Sequence, residues 1–415
     1  MITVGNINLS NIRCFLLMLI ALMLPISKQL VPILIILLVL SWLVSPNLLS
    51  RIKKALSNNY MWLFISFYLM HLLGMLYTEN FEFGRYDLEI KLSFLVFPFV
   101  FASFPAISSK SYYNIGLAFI IGCAIACMAD LGMGLVNYTE SGNIKEMLYG
   151  RLSFFHHPSY FAMYLVLGTS IMLHGLLLVP EDVPVSNKRL YFILIPFFIC
   201  MTILLMAKSG ILSMGILVLI TLTYLILKKR FVPAGGLSLA LIVAVMGSMW
   251  VAPGVFNRIQ TSWNLIMQQS DPIDPTSVES TAERVLVWEQ AIELIKEHPL
   301  LGVGTGDVKD ALVEKYVLSG LEGVESEKLN AHNQFLQSFA ALGLFGFLSL
   351  ALGLLLPAVM AIKRGNSVFF IFIVIIIINA LTESILEVQA GVVFYAFFNS
   401  FFMFLNPVSI RGNIP

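Results

Sequence analysis

Long apolar runs separated by short polar joints make up most of the chain, and the runs themselves are almost free of charge. A helix that crosses a membrane needs about 20 mostly apolar residues. On that measure the pattern predicts spans near 11–26, 29–46, 60–77, 91–107, 112–136, 158–179, 190–207, 210–227, 234–252, 334–361, 367–381 and 388–405. The expectation is an all-α integral membrane protein with about 12 transmembrane helices. One long hydrophilic stretch lies between spans nine and ten, dividing the chain into 1–252, a helical outer loop at 253–333, and 334–415. The first run follows a polar leader with no basic stretch before it and no small-residue cleavage site, so it is expected to stay as a helix rather than act as a signal peptide.

Inside the hydrophilic stretch, residues 281–298 place Val285, Trp288, Ile292 and Ile295 at helical spacing with charges between them. This predicts an amphipathic helix over the membrane face, ended by Pro299. Asp271-Pro-Ile-Asp-Pro275 reads as an irregular connection and Gly302-Val-Gly-Thr-Gly-Asp307 as a turn. A second helix is expected over 307–318, stopped by Gly320. The turn lacks the Gly-Lys-Ser/Thr ending of a nucleotide loop and follows no strand.

Basic residues set the orientation, because short cytoplasmic loops collect Lys and Arg. Arg51, Lys53, Lys54, Lys110, Lys188, Arg189, Lys228, Lys229, Arg230, Lys363 and Arg364 fall on one side if all the spans are real. Both termini are then cytoplasmic and the large loop faces outward. Composition agrees with the membrane reading: 58% of residues are hydrophobic, 12% are charged, and the mean hydropathy is +0.88. A soluble surface needs about twice that charge. The net charge of +1 excludes a polybasic nucleic-acid binder. Cys14, Cys123, Cys127 and Cys200 all sit in apolar runs, without disulfide or zinc spacing.

Candidate chemistry gathers at the outer boundary. His332, in Ala331-His-Asn-Gln-Phe-Leu-Gln337, stands where the loop re-enters the membrane. An imidazole there suits a general base, although with Asn333 it could equally cap the helix. Arg284 offers a planar fork for phosphate oxygens, or a partner for Glu283 or Glu289. Lys208 lies between two apolar runs on the side where positive charge is disfavoured, so it either snorkels or marks a lipid-phosphate site. Arg151, His156 and His157 precede span six, where the histidines shape a pocket wall more plausibly than a zinc site. Glu383 and Glu387 are read as one helical turn apart at the start of span twelve, with Glu383 a pocket candidate. His71, Asp130 and His174 would matter for proton-coupled transport.

Several of these pieces together resemble the O-antigen ligase and polymerase superfamily of bacterial inner-membrane glycosyltransferases. They are Arg284 with Trp288, then His298-Pro-Leu-Leu-Gly-Val-Gly-Thr-Gly306, Ala331-His-Asn-Gln-Phe-Leu-Gln337, Gly343-Leu-Phe-Gly346, the stretch from Arg151 through Pro158 to Ala162, and Thr382-Glu-Ser384. The resemblance covers the C-terminal two-thirds, and the first four spans match in hydropathy alone. It implies a metal- and nucleotide-independent enzyme with no cofactor, working at the periplasmic face. The donor would be a glycan on undecaprenyl diphosphate and the acceptor a sugar hydroxyl of lipid A–core oligosaccharide. His332 would activate the acceptor; Arg284, Lys208 and Arg151 would hold the diphosphate; His157, Asn333 and Glu383 would line the acceptor side. The sequence departs from the family where a Ser-Arg pair is usual and Lys208-Ser209 stands instead, so charge is kept but the two-pronged geometry is not.

Within the superfamily a polymerase needs the same cations and base, whereas members that glycosylate protein tend to be longer. Length and the single large loop lean towards the ligase. A polytopic transporter is the reading from another class, and the unmatched halves of the chain and the boundary position of its ionisable residues count against it.

Overall fold

The computed structural model describes residues 9–178, 184–251 and 280–405. Among them every element is helical. In chain order the helices are α1 (Leu9–Met23), α2 (Leu30–Leu43), α3 (Leu48–Leu56), α4 (Asn59–Gly74), α5 (Phe81–Lys91), α6 (Ser93–Ser103), α7 (Ser109–Ser141), α8 (Tyr149–Leu152), α9 (Pro158–Leu177), α10 (Val185–Leu204), α11 (Lys208–Leu227) and α12 (Phe231–Val251). They continue as α13 (Ser280–Glu297), α14 (Val308–Leu318), α15 (Glu322–Glu327), α16 (Gln334–Lys363), α17 (Ser367–Ala380) and α18 (Gln389–Phe404).

Each of the twelve apolar runs falls on a helix, but length separates them. Five helices, α7, α9, α10, α11 and α16, are long and apolar enough to cross a membrane, and α2 with α3 forms a pair bent by 112° that would make a sixth. Apolar helices of 10–17 residues are α1, α12 taken to Gly247, α17 and α18, and α6 has only 11 residues. The connection at 271–275 lies outside the described residues.

Helices α9 and α18 form the centre. An α-helix that is apolar all round belongs in an interior, and α18 buries nearly every side chain from Ala390 to Met403. Its phenylalanines interlock with neighbours on three sides. Phe397 meets Phe97 of α6 at 5.4 Å, Phe398 meets Phe119 of α7 at 4.8 Å, and Phe394 meets Phe372 of α17 at 5.6 Å. Such rings contribute through both buried area and edge-to-face geometry.

The amphipathic helix is present as α13, but its buried face differs from the expected one. Ala282, Leu286, Val287, Ala291 and Leu294 are buried, whereas Ile292 is exposed and Val285, Trp288 and Ile295 are only partly covered. Counting large apolar residues missed the stripe, because two of its positions are alanines. Alanine lets a helix approach closely, so here the packed face is the one with the smaller side chains.

Helix α16 is broken at Gly343, whose φ of 63° and ψ of −159° are not helical. The break frees backbone groups that the turn after α13 takes up. Val303 N–H donates to Ala340 O at 3.0 Å, Gly304 N–H to Ala341 O at 2.9 Å, and Leu344 N–H to Pro299 O at 3.0 Å. Buried peptide groups must be paired, so the helix tolerates its kink only because this turn is threaded against it. Only glycine fits at Gly302 and Gly343. Both have positive φ, and a Cβ on either would run into the backbone of the other segment. The same turn reaches α4 and α5. Asp307 accepts from the N–H groups of Glu79 (2.9 Å) and Asn80 (2.7 Å), and Thr305 Oγ1 donates to His71 O at 2.6 Å.

Cations cap helix ends at the face opposite this turn. Lys54 donates to Phe104 O at 2.5 Å, Arg230 to Leu177 O at 3.0 Å, and Arg364 to Met403 O at 2.9 Å. Positive charge at helix C-termini is favourable by the helix dipole alone.

Candidate functional site

Residues 331–337 build the site's frame, and each polar side chain in them has a separate task. Asn333 caps α16, its Oδ1 accepting from Phe335 N–H at 2.9 Å and Leu336 N–H at 3.2 Å, and its Nδ2 donates to Leu381 O at 3.2 Å. Gln337 accepts from Ala331 N–H at 3.0 Å. Gln334 is fully buried and clasps the turn after α17, accepting from Leu386 N–H at 2.7 Å and donating to Glu387 Oε1 at 2.8 Å. With its neighbours fixed, His332 is held at a left-handed φ of 43° and turns its ring towards Glu383.

Glu383 is the hub of the group. Its Oε2 lies 3.0 Å from His332 Nδ1, and its Oε1 accepts from Arg284 Nη2 at 2.6 Å. Ser159 Oγ, in the first turn of α9, lies 3.5 Å from Oε1. Burial alone pushes the Glu383 carboxyl up, but the His332 hydrogen bond and the Arg284 charge outweigh it and hold the group below the ordinary glutamate value. The carboxylate is therefore ionised at neutral pH. A carboxylate on Nδ1 favours the tautomer with the proton there, leaving Nε2 with its lone pair.

Arg284 keeps unused donor capacity. Its Nε is buried without an acceptor among the described residues. Lys208, at the start of α11, donates to Thr281 Oγ1 at 2.7 Å, one turn of α13 from Arg284. Lys208, Arg284, Glu383, Thr382, Ser159 and Tyr149 all line one small cleft. His157 caps α9, its Nδ1 accepting from Ser159 N–H at 3.4 Å; the ring stays solvent-exposed on one side, and the partial desolvation on the other, with Glu383 opposing it, lowers its pKa.

Two readings from sequence take a different form here. Arg151 bonds Glu146 and leaves 59% of its side chain exposed, and among the described residues no hydrogen bond joins it to the Glu383 group. Glu383 and Glu387 do not share a helical face. Helix α17 ends at Ala380 and α18 starts at Gln389, with a short 3-10 turn at Ile385–Glu387 between them, so the two carboxylates face different partners.

Glu387 belongs to a second, buried group. Lys91 is completely enclosed, bonded to Asp87 and, at 2.7 Å, to Glu387 Oε2, and His71 Nδ1 stands 3.3 Å from Asp87 Oδ2. Charges in such surroundings persist only when paired. Through Gln334 this group fixes the His332 segment against α5. The span expected over 91–107 put Lys91 at its start and left Asp87 outside it. Their spacing of four on a helix was the signal available.

Among the described residues no three of His, Cys, Asp and Glu stand together so as to hold a metal ion. No curated protein matches the chain. The family model described as O-Antigen ligase matches residues 192–351, from α10 past Lys208, Arg284 and His332 to beyond the Gly343 break, the stretch that carries most of the motifs resembling that superfamily.

Proposed function

We propose that the protein is an O-antigen ligase, moving a glycan from undecaprenyl diphosphate to a sugar hydroxyl of lipid A–core oligosaccharide. The observation that carries this reading is the shared carboxylate, with Glu383 touching both His332 and Arg284. A base and a cation held by one group stand at a fixed spacing, as a displacement reaction requires. The acceptor hydroxyl gives its proton to His332 Nε2 and its oxygen bonds to the anomeric carbon. The bond from that carbon to the diphosphate oxygen breaks, and the diphosphate leaves with the electron pair. Arg284 and Lys208 meet the charge that develops on it, which is worth most where water is excluded. The activated donor supplies the free energy, so no ATP is needed.

The site is proposed to face the periplasm, with both termini in the cytoplasm. The grouping of Lys54, Arg230 and Arg364 at the other helix ends supports that orientation. Arg151 is kept as a cation for the diphosphate once substrate competes for it. A host lacking the gene tests the proposal. Loss of the long-chain ladder from lipid A–core, with long glycan accumulating on the carrier, is the expected result. Core capped by single repeats makes the enzyme a polymerase, and an unchanged profile contradicts both.

A further inference from the structure

The aromatic rings beside the cation pair take no part in the steps above. Tyr149 opens α8 with a φ of 54°, in the left-handed region that bulky aromatic residues seldom adopt. It lines the cleft with Lys208, Arg284 and Glu383 while 38% of its surface stays accessible. Its ring meets His157 edge-to-face at 6.3 Å, and His157 meets Tyr160 at 6.2 Å. His157 is exposed and Tyr160 is half-buried. Three rings thus run in a row from the mouth of the cleft along the first turn of α9. A strained backbone that keeps an aromatic side chain partly accessible at a polar cleft is poorly explained by packing alone.

We propose that Tyr149, backed by His157 and Tyr160, is a saccharide platform for the sugar ring attached directly to the carrier diphosphate. The proposal rests on the glycosyltransferase reading of the site. The anomeric carbon is bonded to a phosphate oxygen, so a diphosphate held by Arg284 and Lys208 brings the first sugar ring into the same cleft. One face of a pyranose is lined with C–H groups that pack against an aromatic π-face, and the hydroxyls at its edge are within the chemistry of a neutral imidazole and a phenol. The cations would then read the charge of the donor, and the rings would read the sugar.

Binding to the full-length protein in lipid nanodiscs tests this, with undecaprenyl diphosphate and undecaprenyl diphosphate-linked N-acetylglucosamine as probes. The wild type is expected to bind the sugar-bearing carrier about two- to tenfold more tightly than the bare one. Tyr149→Asn suits left-handed backbone, so folding is retained. It should erase that preference and leave affinity for the bare carrier within about twofold, while Tyr149→Phe keeps the preference. The platform is overturned if the asparagine variant keeps the preference. It is equally overturned if both probes weaken together, as an interfacial anchor or a support for the cations would produce. A wild type that binds neither probe would remove the carrier-diphosphate reading itself.

Discussion

His332 and Glu383 lie 51 residues apart in the chain and meet at 3.0 Å across the gap between α16 and the turn after α17. The carboxylate orients the imidazole and stabilises the imidazolium formed when it takes a proton. We predict that Glu383→Gln lowers turnover by about 10²-fold, within the range for disabling a general base. Turnover of the glutamine variant within about twofold of the wild type would show that Glu383 does not act on His332.

Arg284 uses one nitrogen on Glu383 and keeps others for substrate, so geometry as well as charge should matter. Arg284→Lys is expected to retain partial activity and Arg284→Ala to lose about 10²- to 10³-fold, measured as transfer by purified enzyme. Unchanged turnover in the lysine variant would contradict a forked contact. At Lys208, where a single charge already stands, Lys208→Arg should keep activity and Lys208→Ala lose most of it. Normal activity in the alanine variant would remove Lys208 from the site.

Lys91 is enclosed between Asp87 and Glu387. Lys91→Met leaves the buried Asp87 and part-buried Glu387 carboxylates without their shared cation and is expected to cost about 3–5 kcal/mol. Combining it with Asp87→Asn and Glu387→Gln should recover most of that loss. Thermal unfolding in detergent reads both. A single variant as stable as the wild type would mean that water reaches the group.

What the sequence made legible follows from what is local. Periodicity located the helices, and the Ala331-to-Gln337 motif located the imidazole, because both are written in neighbouring residues. Pairing was not legible. Arg284 has glutamates next to it on its own helix, yet it reaches Glu383, which is 99 residues away. Glu387 was grouped with Glu383 by spacing until the end of α17 separated them. The packed face of α13 was hidden because alanine carries little hydrophobic signal and packs closely all the same.

Gly343 and the turn at 299–304 hold each other's backbone, so neither Gly343 nor Gly302 can accept a side chain. Gly343→Ala is expected to destabilise by about 1–3 kcal/mol through its positive φ and the clash with Leu300. Loss of activity should accompany it, since α16 carries the His332 segment. A stable, active alanine variant would show that the kink is dispensable.

Transfer by purified His332→Ala enzyme, from carrier-linked glycan to lipid A–core, tests the central claim most directly. The account predicts correct folding and bound donor with turnover reduced by at least about 10²-fold. Turnover within about twofold of the wild type would contradict the assignment of His332 as the base.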